Sequence, residues 1–327
     1  MLLMQVFEIM STMIKIILTL VVLNLLTACS ITGAGKYRYP ILNINSGNLK
    51  STVEYITNVR PYRNYMNIGS MNIVASYIKG KFIEYGLVVE EQRFEVGDKE
   101  YANIIGTIGL ENPKRVIVGA HYDVCGNQPG ADDNASAVAG LLEIARLTKE
   151  HASELKYRVD FVAYSLEEPP FFGTEKMGSY IHAKYLYDEG IEIRGMICLE
   201  MIGFFTDEKN SQKYPLGIMK LFYPSEGNFI GIVGNFKSSP LIKEVKMHMK
   251  ATSIEVRTLR APAWIGGVDF SDHRNYWKFG YDAVMVTDTA FYRNLNYHRE
   301  TDTIDTLNFA KMEEVIKGVC WTLLNLT

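Results

Sequence analysis

The chain has 327 residues, 47% of them apolar, enough to bury one large α/β core or two smaller ones. Its formal net charge is −3 and it carries no long basic run, which argues against a nucleic-acid partner. Of its four cysteines, one is Cys29; Cys125, Cys198 and Cys320 are too few and too scattered for a disulfide framework or a cysteine-based zinc site.

The amino terminus has the pattern of an export signal. Met13-Ile-Lys15 is followed by an apolar run over residues 16–26 and then by Thr27-Ala28-Cys29. Leu26-Thr27-Ala28-Cys29 resembles a bacterial lipobox. That resemblance implies removal of the leader before Cys29, lipidation of the Cys29 sulfur, and a lipid-anchored protein of the bacterial cell envelope. Ser30, a non-acidic residue after the cysteine, points to the outer membrane. An ordinary signal peptide or an amino-terminal membrane anchor stays open. Residues 1–12 hold Glu8 and no basic residue, so translation from Met13 stays open as well.

Residues 30–60 are rich in Asn, Ser, Gly and Tyr with weak periodicity and read as a tether, leaving 61–327 as the folded domain. An apolar stripe predicts a helix over 70–85, stopped by Gly86. Strands follow at 87–94 and 101–110, with a turn at Gly97-Asp98. The apolar run 116–120 reads as a strand buried on both faces, with His121 at its carboxyl end. Ligands in open α/β sheets collect at such ends. A helix over 135–149, a strand over 157–166, a helix over 175–187 and a strand over 193–201 come next. A glycine- and aromatic-rich stretch, 203–228, separates these from a strand at 229–233. Ser239-Pro240 opens a helix. Strands at 254–259 and 283–287 and an amphipathic helix over 309–324 complete the chain. Strands alternating with helices predict a three-layer α/β sandwich, a mixed but mainly parallel sheet covered on both faces.

Chemistry-bearing side chains gather at the predicted strand ends: His121 with Asp123, Asp133, the pair Glu167-Glu168, and Glu200. A late loop adds Tyr297-His298. Singly, each has a bland explanation. A His-x-Asp is commonly a surface pair, two adjacent acids a solvated loop, and a lone histidine a surface or core residue. Jointly, acids placed where apolar strands stop are poor candidates for solvated faces. Cys125 and Cys198 both flank this set, and whether they pair in an oxidising compartment stays open.

The motifs His121-Tyr-Asp123, Gly130-Ala-Asp-Asp133-Asn-Ala-Ser136, Phe161-Val-Ala-Tyr-Ser-Leu-Glu167-Glu168, Leu199-Glu200-Met-Ile-Gly203, Ser271-Asp272-His273 and Asp288 through Tyr297-His298 to Asp302-Thr303 resemble metallopeptidase family 28, the co-catalytic zinc aminopeptidases. The likeness spans roughly residues 65–325. It implies two zinc ions per chain, one held by His121 and Glu200, the other by Glu168 and His298, with Asp133 bridging. It implies Asp123 behind His121, Glu167 as general base, Tyr297 as oxyanion donor, and supporting or substrate-side places for Asp272 and His273. Packing alone is the other reading of Tyr297. A cis peptide is expected at Asp133-Asn134. One position departs from the family pattern: Glu200 stands where aspartate is usual, and its extra methylene demands that the strand end sit back or the carboxylate fold.

The resulting expectation is an exopeptidase that removes amino-terminal residues from peptides. A single-zinc glutaminyl cyclase, a hydrolase of the same fold acting on a carboxyl terminus or an acyl-amino bond, and a non-enzymatic surface binding protein are the alternatives. The segments 203–228 and 261–268 are expected to set specificity.

Overall fold

The computed structural model describes residues 37–327. The export signal, the lipidation site Cys29 and the start of the tether lie outside the described residues. Among those described, no helix is long and apolar enough to cross a membrane.

Eight strands form one mixed sheet: β1 (Val88–Val96), β2 (Lys99–Ile108), β3 (Arg115–His121), β4 (Arg158–Tyr164), β5 (Ile193–Glu200), β6 (Phe229–Gly234), β7 (Glu255–Arg260) and β8 (Ala283–Thr287). Their spatial order is β1-β2-β4-β3-β5-β8-β6-β7. The four central strands, β4, β3, β5 and β8, run parallel. The β1–β2 hairpin adds on antiparallel to β4, and β6 sits antiparallel to β8 while pairing parallel with β7. All four parallel strands therefore end at the same edge, which is where their following loops can share one site.

Both faces are covered. The larger layer contains α1 (Ser46–Asn58), α2 (Ile68–Glu84), α3 (Ala137–Glu150), α5 (Ser239–Met249) and α7 (Phe309–Asn325); the smaller contains α4 (Gly178–Asp188) and α6 (His273–Lys278). The two-residue period of β3 distributes its side chains accordingly: Val116, Val118 and Ala120 join the larger core, while Ile117 joins the smaller. Gly119 has no room for a side chain, because a Cβ there would sit 2.3 Å from the Tyr164 ring. That ring is the start of a buried chain in the smaller layer, Tyr164 Oη to Tyr276 Oη at 2.6 Å and Tyr276 Oη to His182 Nδ1 at 2.6 Å.

The reading of residues 30–60 as a tether is corrected by α1. Asn45 caps this helix by accepting from the Asn48 amide at 3.0 Å. Leu49, Val53 and Ile56 are buried, each contributing about 1.5–3 kcal/mol. The segment before it is fastened too: Trp321 Nε1 donates to the Pro40 carbonyl and Arg146 Nη2 to that of Asn43. Residues 39–327 accordingly form one compact unit. The short helix α6 was also not anticipated, since six residues are less than two turns and carry no periodic signal.

Candidate metal centre

The site grows from the carboxyl ends of β3, β4 and β5. His121 is the last residue of β3, and Glu200 the last of β5. Glu167 and Glu168 follow β4, and Asp123 fixes them by accepting from both backbone amides, each at 3.1 Å. Asp133 lies in the one-and-a-half turns of irregular helix, Ala131–Ser136, that lead into α3. The Asp133–Asn134 peptide is cis.

Asp133 stands between two imidazoles. Its Oδ1 lies 3.3 Å from His121 Nε2, and its Oδ2 lies 3.2 Å from His298 Nε2. Each imidazole meets a second carboxylate: Glu200 Oε2 at 3.4 Å from His121 Nε2, and Glu168 Oε2 at 3.2 Å from His298 Nε2. The five predicted ligands thus form two donor groups joined through one carboxylate. Glu167 Oε2 lies 3.8 Å from His121 Nε2, and Asp123 Oδ1 faces the other ring nitrogen at 3.5 Å.

Glu200 reaches this cluster because its carboxylate is held from two sides. Ser271 Oγ donates to Oε2 at 2.6 Å, and Asn134 Nδ2 approaches the same oxygen at 3.4 Å. Asn134 is itself oriented by accepting from the Met201 amide at 2.9 Å. Cys198 lies behind Ser271, with Sγ 3.2 Å from Oγ. Cys125 stands on the other side, close to Glu168 and His298. Cys125, Cys198 and Cys320 are all free thiols, which answers the open question of pairing.

Asp272 is fully buried, and burial pushes its carboxyl up to about 7. His273 turns away from the five donors: its Nε2 bonds the Val268 carbonyl at 2.8 Å and its ring meets Trp277 edge-on. It anchors the end of the 261–268 loop. Tyr297 stacks on the His298 ring at 3.8 Å between centroids. Burial, then the charge of Asp133, Glu168, Glu167 and Glu200, raises its hydroxyl far above the usual value, so it keeps its proton and can donate.

The electrostatics of this cluster call for cations. Burial pushes Glu167 well above its ordinary value, and Glu168 and Glu200 push the same way. Burial, then Asp133, brings Glu168 up to about 8, and burial also raises Glu200. Asp133 goes the other way. Burial alone would raise it, but the two flanking imidazoles outweigh burial and hold it below the usual carboxylate range. Burial disfavours charge on His121 and His298, yet the surrounding carboxylates raise the first well above its ordinary value, and Asp133, then Cys125 and Glu168, bring the second to about 12. Glu168 Oε1 is buried without a hydrogen-bond partner. Nitrogen and oxygen donors gathered around such a demand fit a metal of zinc type.

Several supporting residues carried no warning in the sequence. Arg63 is 1% exposed and donates from Nε to the Tyr122 carbonyl at 2.8 Å and from its two terminal nitrogens to the carbonyls of Pro129 and Gly130. It clamps the loop that carries the chain from His121 to Asp133. Burial lowers it to about 10, against the pull of Asp133, Asp302, Asp123 and Glu168, so it stays charged. Gly130 is obligatory in that loop: its φ is +60°, and a Cβ would meet the Asp133 carbonyl oxygen at 2.3 Å. Asp302 accepts from the Asp132 and Asp133 amides at 2.9 and 3.0 Å. Asp132, its carboxyl pushed well above the ordinary value by burial and then by Asp288, accepts from the Gly203 amide and from Asn294 Nδ2. Three non-glycine residues with left-handed backbone adjoin or belong to the cluster: Leu166 (φ 61°), Met201 (φ 46°) and His298 (φ 56°). Each costs on the order of 1–3 kcal/mol, which the surrounding packing must hold in place.

Beside the cluster lies a pocket open to solvent. Glu200 and Tyr297 stand at one side, and Phe270, Phe291, Met285 and Tyr223 give it a largely apolar wall. Both segments expected to set specificity line it, 203–228 through Tyr214 and Met219, and 261–268 through Gly266 and Gly267.

The family model described as "Peptidase family M28" matches residues 103–322. This chain belongs to peptidase family M28. It is 42% identical over 286 residues to the uncharacterized protein YfbL of Escherichia coli (strain K12), covering 85% of this chain and 87% of that one. It is 27% identical over 296 residues to a probable leucine aminopeptidase of Arthroderma otae, covering 85% of this chain and 72% of that one. Among solved structures, LapB from Legionella pneumophila superposes with a TM-score of 0.68 at 21% identity, over 89% of this chain and 77% of that one. A glutaminyl cyclase of Bacteroides thetaiotaomicron, bound to N-acetylhistamine, superposes with a TM-score of 0.67 at 18% identity, over 89% of this chain and all of that one. The M28 fold is thus shared by peptidases and cyclases, and the chain is a hydrolase-type member of it.

Proposed function

We propose that the protein is a two-zinc exopeptidase that releases amino-terminal residues from peptides. The observation that carries this reading is the pair of donor groups joined through Asp133: His121 with Glu200 on one oxygen, His298 with Glu168 on the other. When bound, zinc polarises a carbonyl and lowers the pKa of a coordinated water from 15.7 to about 7.

The protein groups supply the rest. Glu167 faces the His121 half, and its buried carboxylate with a raised pKa is suited to take a proton from the attacking water and hand it to the leaving nitrogen. Its backbone is fixed by Asp123, so the carboxylate does not have to search for its position. Tyr297, still protonated, donates toward the oxygen on which negative charge develops. The apolar cavity beside Glu200 receives the side chain of the departing residue. A lipid anchor at Cys29 would hold this activity at the bacterial envelope.

The solved glutaminyl cyclases of the same fold make cyclisation of amino-terminal glutamine the second reading. One experiment separates the two. The purified chain is assayed for metal content, for release of free amino acids from aminoacyl chromogenic substrates, and for pyroglutamate formation. Two zinc ions with chelator-sensitive release are expected, and Glu167→Gln should lower turnover by roughly 10²–10⁴ while keeping the metal. One zinc with pyroglutamate and no amino acid released would replace the peptidase by the cyclase. No turnover of any substrate would leave a binding protein.

A further inference from the structure

The two halves of the centre do not have the same donors. Cys125 Sγ, a Glu168 oxygen and a His298 ring nitrogen all lie within 4.8 Å of one another. Two atoms share one ion within the sum of their bond lengths, about 4.3–4.5 Å for sulfur with nitrogen or oxygen, so a shift of a few tenths of an ångström brings the group onto one ion. Glu168 is 4% exposed, and its Oε1 has no hydrogen-bond partner. Asp133 Oδ2 and Glu168 Oε2 each lie 3.2 Å from His298 Nε2. Cys198, by contrast, sits behind Ser271 on the Glu200 side and contacts Ser271 rather than the donor cluster.

We propose that Cys125 is a fourth protein ligand of the second metal, which is thereby held by Asp133, Glu168, His298 and a thiolate. The proposal rests on the two-metal reading above. On binding, the thiol gives up its proton to solvent and the sulfur donates an electron pair to the metal, whose oxidation state does not change. Four protein donors close a tetrahedral site, in the manner of structural zinc, whereas a catalytic zinc keeps a position open. The second metal then holds Asp133 and the loop of His298 in place. Water and the scissile carbonyl are left to the His121–Glu200 half, the side that Glu167 faces. A thiolate also biases the second site toward zinc and away from magnesium or manganese, which prefer oxygen.

Cobalt(II) substitution tests this without reference to activity. The metal-stripped full chain is titrated with cobalt(II), following cobalt per chain and the near-ultraviolet thiolate-to-cobalt charge-transfer absorption. In the wild type the band should grow as one of the two equivalents binds, whichever comes first, and persist in Cys198→Ala. Cys125→Ser should lose the band, and its affinity for the second cobalt should fall by more than the roughly 10–100-fold that loss of a supporting partner costs. Cys125→Asp, a hard donor at the same place, should recover second-metal binding without the band, which a merely structural cysteine would not do. Two cobalt ions without a band, or a band that survives in Cys125→Ser, overturns the proposal while leaving the two-metal reading intact. A single cobalt per chain overturns the two-metal reading instead. In that case a band lost in Cys125→Ser keeps Cys125 as a ligand of the one site, and no band removes it.

Discussion

The His121–Glu200 half and the Glu168–His298 half of the centre are built on different foundations. The first stands on strand ends: His121 and Glu200 close β3 and β5, and the His121 side chain is only 1% exposed. Ser271, Asn134 and Asp123 hold its donors from behind. The second stands on loops, with His298 26% exposed and in left-handed backbone. A strand end is fixed by the ladder on either side. A loop needs something to hold it, and under the two-metal proposal the ion bound by Glu168 and His298 would be the means.

That contrast can be broken at its hinge. Asp133→Ala removes the carboxylate whose two oxygens face the two imidazoles, and both metals should be lost along with turnover. Metal analysis that still found either half occupied would show two independent sites. Arg63→Met should come next in size, destabilising the fold by about 3–5 kcal/mol, because three buried backbone carbonyls lose a charged donor. Urea unfolding reads this, and a change within error would reduce the clamp to a packing role. Ser271→Ala acts on the strand-borne half alone. The first metal should bind roughly 10–100-fold more weakly, with the second unaffected in competition with a chelator.

The smallest effect is read in pH. Burial, reinforced by Arg115 and Arg158, holds His182 at about 4, below its ordinary 6.5. Protons therefore favour the unfolded chain. The contribution of His182 is complete above pH 6.5 and is lost as pH falls toward 4. At pH 5.5 the loss is about 1.4 kcal/mol. His182→Gln should remove that loss at pH 5.5 relative to wild type. Because His182 reaches β3 through Tyr276 and Tyr164, this measures how far the strand-borne half depends on the layer beneath it.

The parts of the site legible in the sequence were those with local signatures. A continuous apolar run ending in His121 announces a buried strand and its useful end. The reach of Glu200 was a question the sequence posed without answering, because the answer, Ser271, is brought in by a different part of the chain. Arg63 was invisible for a related reason: its partners are carbonyls, which every residue has. The helix α1 escaped because its buried side includes Thr52 and Thr57 among Leu49, Val53 and Ile56, so the apolar stripe is broken where it would have been read. Cys125 was legible as a neighbour of the site, but its place beside His298 depends on how the late loop folds back.

Asp302 separates having the donors from having the site. All five predicted metal ligands lie at or before residue 298. Yet the amides of Asp132 and Asp133 are gripped by a carboxylate that arrives later, and the helix sealing the larger layer, α7, arrives later still. A growing chain therefore has donors before it has a site. A chain cut short before Asp302 would hold all five predicted ligands without the grip that sets the Asp132 and Asp133 amides.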